Sequence, residues 1–136
     1  MSDSAPTQTN QLPGPILLRF PAEPSLSRVL RLAAAGLASL GNFTVDHIED
    51  IKIAVSEVLI ALIEHGSGGP VDVSLGYDAE AFRISGTTDV KKFSLDNQDL
   101  ALCRTILEEV CSTHSVDVLA DLAVITATVG RNSNNE

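Results

Sequence analysis

The sequence predicts an α+β domain: a two-layer sandwich in which a mixed, mostly antiparallel sheet carries three helices on one face. Two long segments in the N-terminal half, and one later segment, repeat apolar residues at the three-to-four spacing of amphipathic helices. Other segments alternate apolar and polar residues, as half-buried strands do. The resulting order, β-α-α-β-β-α-β-β, buries its apolar faces most simply as one sheet layer and one helix layer.

The first two elements are a short strand and a helix. Residues 16–20 (ILLRF) are predicted as a strand that ends before Pro21, because proline cannot donate a hydrogen bond to a neighbouring strand. The helix is predicted over residues 25–40, with the serine at its first position as a candidate cap. Gly41 and Asn42 follow as stop signals.

The second helix is predicted over residues 44–65. Asp46 and Glu49 place negative charge near its first turn, where the helix dipole favours it. Gly66 is expected to take the left-handed backbone conformation after the last turn. The apolar stripe of this helix consists of Ile48, Ile51, Val55, Leu59 and Leu62.

A β-hairpin follows the second helix. Residues 71–76 alternate strictly between apolar and polar or small side chains, residues 77–80 form a turn, and residues 81–85 are the return strand. Residues 86–96 show no clear period.

The C-terminal part is predicted as a third helix and two strands. The helix opens at Asp96 or Asn97 and runs to about Thr113, and the strands cover residues 116–119 and 122–129. The expected buried positions of the helix are Leu100, Cys103, Leu107, Val110 and Cys111.

The composition excludes several classes of function. The chain has 136 residues, of which 9 are Lys or Arg and 18 are Asp or Glu, so its net charge is −9. Binding to a nucleic-acid backbone or to an anionic membrane rests on Lys and Arg, so neither is expected. With four Phe, one Tyr and no Trp, the chain is also poor in the aromatic side chains that stack on bases.

The organisation of the chain indicates one domain over residues 16–130. Residues 1–15 and 131–136 are polar and are expected to be disordered. No apolar run approaches the length of a membrane span, and the N-terminus lacks the pattern of a secretory signal. Cys103 and Cys111 are interpreted as small core residues in a reducing compartment. These features predict a cytoplasmic protein.

One polar residue on the second helix is a candidate functional group. At helical spacing, Glu57 lies in the middle of a face that is otherwise largely apolar and also carries Ile53, Ile60, Ala61 and Glu64. A partly buried carboxylate must be paired, be hydrogen-bonded or have a raised pKa, and such environments are typical of functional sites. The plainer interpretation is a solvated charge on a helix.

This helix resembles the long helix of bacterial anti-sigma-factor serine kinases. The resemblance rests on residues 49–57 (EDIKIAVSE) and 63–66 (IEHG) and extends, through the order of elements, from Leu18 to Val129. It implies the histidine-kinase-like ATPase fold, also called the Bergerat or GHKL fold. It also implies ATP and Mg²⁺ as cofactors, with Glu57 as the general base or the residue that positions water.

The chain departs from the family pattern at the metal ligand. In the family, an Asn four residues after this Glu binds the magnesium that bridges the ATP phosphates. Here the position is Ala61, and a methyl group offers no oxygen to a cation that demands oxygen ligands. No metal ligand is therefore assigned.

The second family motif, Asp-x-Gly-x-Gly, is also altered. Aligning Phe93 with the family's aromatic residue places Thr88 at the adenine-binding Asp, and Val90 and Lys92 at the glycines. A shift by one residue makes Asp89 the adenine contact instead. In either register both glycines are missing, and with them the backbone freedom that close ligand approach needs.

The third motif, a Gly-x-Gly-Leu run that wraps the phosphates, corresponds to residues 97–100 (NQDL). Asp99 would bring negative charge toward a polyphosphate. The glycine-rich residues 66–69 (GSGG) follow a helix rather than open one, so they are interpreted as a turn and not as a phosphate cradle. His47, His65 and His114 show no metal-ligand spacing.

These features lead to three hypotheses. The first is an anti-sigma-factor-like regulator that acts by binding a sigma factor, its antagonist (the anti-anti-sigma protein) or both, with ATP binding and kinase activity weakened or lost. The second is an active serine kinase that phosphorylates the antagonist. The third is an unrelated interaction domain, which a different order of elements would favour. The resemblance also implies a homodimer.

Overall fold

The computed structural model describes residues 12–90 and 98–131, with the side chains of residues 98 and 99 left out. It contains three α-helices and five β-strands in the predicted order. The strands are β1 (Ile16–Phe20), β2 (Val71–Tyr77), β3 (Ala81–Asp89), β4 (Thr113–Leu119) and β5 (Leu122–Gly130). The helices are α1 (Ser27–Leu40), α2 (Val45–His65) and α3 (Gln98–Val110).

The five strands form one sheet in the order β1-β2-β3-β5-β4. All four strand pairings are antiparallel, so the mixed sheet expected from the sequence is a purely antiparallel one. The buried positions of β2 alternate with half-exposed ones, which shows that one sheet face packs and the other does not. The two-layer sandwich is thereby confirmed, and the order of elements goes against an unrelated fold.

The helices cover the buried face, and α2 lies between α1 and α3. Four residues of the predicted stripe of α2 are completely buried against the sheet, whereas Ile48 is only half-buried. Gly86 of β3 faces this stripe. A Cβ atom there would lie 2.7 Å from side-chain atoms of both Val58 and Leu62, so glycine lets the helix approach the sheet.

A side-chain cap marks the start of α2, and a residue in the left-handed conformation follows the end of α1. The Thr44 side chain accepts a hydrogen bond from the His47 backbone N–H and caps α2, which begins one residue after the predicted start. Asn42, after the last turn of α1, has φ of 62° and takes the left-handed conformation. Ser25 caps no helix. It lies in a short 3-10 turn (Pro24–Leu26) that precedes α1.

The prediction for Gly66 was wrong. Its φ of −82° and ψ of −177° are extended, not left-handed. Glycine is needed there for space, because a Cβ would lie 2.6 Å from the Leu62 carbonyl oxygen and 2.9 Å from Thr88 Cγ2. The turn assigned to residues 66–69 is confirmed, since α2 ends at His65 and β2 begins at Val71.

Several strand and helix boundaries also differ from prediction, three of them by three residues or more. β3 continues to Asp89 instead of ending at Ser85, because β2 and β5 pair with it on both sides along its length. α3 ends at Val110, so Cys111 lies outside it. β4 begins at Thr113, where its hydroxyl lies 2.7 Å from that of Thr128 on β5.

The folded part extends slightly beyond the predicted domain at both ends. The Leu12 N–H donates to the Tyr77 carbonyl at 3.2 Å. Arg131, expected in a disordered tail, donates from Nη1 to the Gly41 carbonyl at 2.8 Å, and its guanidinium lies 3.9 Å from the centre of the Phe43 ring. The other predicted terminal segments fall outside the described residues.

Candidate functional site

The candidate site is a cleft of about 300 Å³ between α2 and α3 that contains Glu57. The other described residues that line it are Ile60, Ala61, Glu64, Leu102, Cys103 and Ile106. Most of the face that the sequence predicted on α2 therefore forms one wall of this cleft. Ile53 is the exception, since it lies outside the cleft and is exposed.

α3 forms the second wall of the cleft. Leu100, Cys103 and Leu107 are buried as predicted and hold α3 in the fold. Cys103 lies against α2, with its Sγ 3.8 Å from the Glu57 carbonyl oxygen. This packing leaves Leu102 and Ile106, one turn apart, beside the cleft.

The Glu57 carboxyl lies in an environment that disfavours its charge. Burial is the main cause of its raised pKa, and the negative charge of Glu64 raises the pKa further. Among the described residues, no cation pairs with Glu57. Glu57 can therefore accept a proton more readily than an ordinary carboxylate.

Ala61 lies one helical turn beyond Glu57 and also lines the cleft. Only 4% of its surface is exposed, and its side chain ends at a methyl group. The wall at this position is apolar where a magnesium site would need an oxygen donor.

Thr88 does not line this cleft. It is 3% exposed and faces the helix layer, where its hydroxyl donates to the Pro70 carbonyl at 2.9 Å. Its methyl group lies beside Gly66, just after the end of α2. The structure therefore places Thr88 at the junction of helix and sheet, with its donor already used.

Asp89 is exposed and points to the opposite face of the sheet from Thr88, since side chains alternate along β3. The pKa of Arg19 on β1 is raised mainly by its hydrogen bond to Asp72, and the negative charge of Asp89 raises it further. The Asp89 carbonyl accepts hydrogen bonds from the Ser67 backbone N–H and hydroxyl. The structure does not bring Asp89 together with Glu57.

The remaining altered motif positions are either in the core or outside the residues and side chains that the structure describes. Val90, aligned with the first family glycine, is a buried core residue whose N–H donates to the Asp121 carbonyl at 2.8 Å. Lys92, Phe93 and Asn97 lie outside the described residues, as does the side chain of Asp99.

The described residues of the cleft do not fit a magnesium–ATP complex. A polyphosphate needs cationic side chains or free backbone N–H groups, and magnesium needs several oxygen ligands. The lining instead combines aliphatic side chains, one thiol and two carboxylates, which repel phosphate.

The histidines and cysteines do not form a second site. Within residues 12–90 and 98–131, no group of three or more His, Cys, Asp and Glu side chains could hold a metal ion. Burial raises the pKa of the Cys103 thiol to about 11 and that of Cys111 to about 12, so neither is a reactive thiolate at neutral pH.

A larger concavity of about 480 Å³ lies on the open face of the sheet. Small residues such as Ser74, Gly76, Ser85 and Thr126 contribute to its lining, and its charged members, Asp78 and Arg83, pair with each other at 2.8 Å. The α2–α3 cleft is the stronger candidate because its carboxylates have no such partner among the described residues.

No helix in the described part of the chain is long and apolar enough to cross a membrane.

Two features were not predicted from the sequence: one wall of the cleft and one contact that stabilises the surrounding fold. Leu102 and Ile106 were not singled out, although their four-residue spacing on a predicted helix was the available signal. The Arg131 contact with the α1–α2 turn had no sequence signal, because its two ends lie 90 residues apart.

The order of elements and the antiparallel sheet define the class of fold, a two-layer α+β sandwich with a cleft between α2 and α3. A solved structure of the RsbU and RsbW domains of Rv1364c from Mycobacterium tuberculosis shares this fold. It has a TM-score of 0.67 at 19% identity, and the match covers 86% of this chain and 32% of that chain. At this identity, the likeness concerns the fold alone.

Comparison of this sequence with those of known proteins identifies relatives within this class of fold. The serine-protein kinase RsbW of Bacillus velezensis is 31% identical over 112 residues, which cover 78% of this chain and 66% of the relative. RsbW of Bacillus subtilis is 30% identical over the same length. No family model matches the chain. The chain belongs to the family of these anti-sigma-factor serine kinases, and it spans about 66% of the length of the relatives named here.

Proposed function

We propose that this protein is an anti-sigma-factor-like regulator that controls transcription by partner switching. In this proposal it binds a sigma factor, the antagonist of the anti-sigma factor, or both, while ATP binding and kinase activity are weakened or lost. The membership in the RsbW family supports the regulatory part. One observation supports the proposed loss of activity. The wall of the cleft that holds Glu57 carries the Ala61 methyl group, which cannot bind magnesium.

Isothermal titration with ATP and with ADP, each with magnesium, tests the nucleotide part. We expect no saturable heat at millimolar nucleotide, because the cleft offers carboxylates and aliphatic groups instead of phosphate donors. Micromolar binding that Glu57→Gln changes would contradict the proposed loss. A matched variant, Glu108→Gln, removes the same charge from an exposed position of α3 outside the cleft.

The alternative function is an active serine kinase that phosphorylates the antagonist. It is favoured by the retention of Glu57 in a cleft where its pKa is raised, as a general base requires. Transfer of labelled phosphate from ATP to a serine of a verified antagonist, abolished by Glu57→Gln, would establish this alternative. Absence of transfer to an antagonist that binds the protein would reject it.

We propose Thr88 or Asp89 as the residue that contacts adenine. Thr88 lies on the helix-facing side of β3 and Asp89 on the other, so Thr88 is the better placed of the two. If nucleotide binds at all, Thr88→Val should weaken it more than Asp89→Asn does. Equal effects, or a larger effect at Asp89, would favour the shifted register.

The proposed partners are protein partners, in line with the net charge of −9. A homodimer is proposed through the exposed apolar surface of α1, on which Val29, Leu32 and Leu40 lie, or through the edge strand β1. Light scattering after size exclusion should give twice the chain mass of 14.4 kDa. A single-chain mass at high concentration would reject the dimer. We also propose that the protein acts in the cytoplasm.

A further inference from the structure

The described residues of the α2–α3 cleft combine apolar walls with two separated negative charges. Its aliphatic lining residues are Ile60, Ala61, Leu102 and Ile106. Leu102 is 61% exposed, so part of this apolar wall is open to a ligand. Such walls favour a ligand with a hydrocarbon stem, because covering them removes apolar surface from water.

The two charges belong to Glu57 and Glu64, which lie at opposite ends of the α2 wall. They are seven residues apart, so their Cα atoms are separated by two helical turns, or about 10 Å. Neither takes part in an ion pair with another described residue. The apolar stretch between them is formed by Ile60 and Ala61.

We propose that this cleft binds an aliphatic diamine, a hydrocarbon chain with an ammonium group at each end. The stem lies along the aliphatic walls, and the two ammonium groups approach Glu57 and Glu64. This chemistry is complementary to the cleft in both charge and polarity, in contrast to that of a polyphosphate. The proposal concerns a ligand and does not depend on the partner-switching function.

The energetic argument concerns selectivity rather than high affinity. A single ion pair at a partly exposed site contributes little, and the apolar stem contributes in proportion to the surface that it covers. A ligand that joins two ammonium groups across the right distance should therefore bind better than one with the same stem and one charge. The raised pKa of Glu57 agrees with this, since a nearby cation would relieve the burial of its charge.

Titration of the ¹⁵N-labelled protein by NMR tests the proposal with three probes. 1,6-diaminohexane has the stem and both charges, n-hexylamine has the stem and one charge, and 1,3-diaminopropane has both charges on a shorter stem. We expect 1,6-diaminohexane to bind about two- to fivefold more tightly than n-hexylamine, the range for one exposed ion pair, and also more tightly than 1,3-diaminopropane, which covers less apolar surface. The amide signals of residues 57–64 and 102–106 should shift.

Charge-removing variants give the decisive comparison. Glu57→Gln and Glu64→Gln should each abolish the advantage of 1,6-diaminohexane over n-hexylamine, whereas Glu108→Gln should preserve it. Equal affinity for the three probes, the same advantage in both cleft variants, or shifts spread over the acidic surface would each overturn the proposal. None of these results bears on whether the protein binds a sigma factor or ATP, so the two proposals fail separately.

Discussion

At the scale of single residues, Asp78 shows how one side chain holds a tight turn. Its Oδ1 accepts hydrogen bonds from the backbone N–H groups of Glu80 and Ala81, both at 2.9 Å, and its Oδ2 accepts one from Arg83 Nε at 2.8 Å. These contacts close the β2–β3 hairpin. They also lower the pKa of Asp78 from its usual 3.8 to about 2, with the Arg83 hydrogen bond as the largest cause.

This lowered pKa predicts a specific pH dependence of stability. A carboxyl group whose pKa is depressed by folding stabilises the folded state above its unfolded pKa, and this contribution disappears as pH falls through the folded pKa. Asp78→Asn should therefore be less stable than the wild type at pH 7, and the difference should shrink between pH 3.8 and about 2. Urea unfolding of both proteins across this range measures it. A difference that stays constant with pH would show that the charge of Asp78 is unimportant.

At the scale of secondary-structure elements, two glycines have opposite roles. Gly36 lies on the exposed side of α1, where an added Cβ would meet nothing within 4 Å. Gly86 lies under α2, where an added Cβ would come within 2.7 Å of Val58 and Leu62. The same substitution therefore probes helix propensity at one position and packing between elements at the other.

Alanine at these two positions should change stability in opposite directions. Gly36→Ala should raise the free energy of unfolding by about 0.5–1 kcal/mol, because alanine restricts the unfolded chain and favours helix. Gly86→Ala should lower it by about 1–3 kcal/mol through overpacking. Denaturant unfolding monitored by circular dichroism compares them directly. If Gly86→Ala were neutral, α2 would not be packed as closely on β3 as the structure shows.

At the scale of the whole molecule, Arg131 joins parts of the chain that are far apart in sequence. Its Nη1 donates to the Gly41 carbonyl at 2.8 Å, and its Nε donates to the Asp78 carbonyl at 3.1 Å. The guanidinium also covers the Phe43 ring. The residue after the last strand thus ties the α1–α2 turn to the β2–β3 hairpin.

Loss of this connection should destabilise the fold. Arg131→Ala should lower the free energy of unfolding by about 1–3 kcal/mol, since it removes two hydrogen bonds and a cation–π contact. Arg131→Lys should recover only part of the loss, because an ammonium group cannot reproduce the planar fork of the guanidinium. Arg28→Ala, on the exposed face of α1, is the matched control. Equal stability of the Arg131 and Arg28 alanine variants would contradict this role.

The sequence by itself determined the number, type and order of the elements, because apolar periodicity is a local property of the chain. It also identified Glu57 as a carboxylate on a largely apolar face, and the structure places it in a cleft with a raised pKa. The bounds of the elements were predicted less accurately than their order. β3 continues through residues without a clear period because hydrogen bonds from two neighbouring strands hold it.

Only the tertiary structure decided which residues face each other. The second wall of the cleft, with Leu102 and Ile106, comes from a helix more than 40 residues away from Glu57 in sequence. The same holds for Thr88 and Asp89. Alternation along β3 places them on opposite faces of the sheet, but only the packing of the helices decides that Thr88 is the buried one. Spacing along one segment specifies which residues share a face, but contacts between distant segments depend on how complete elements pack together.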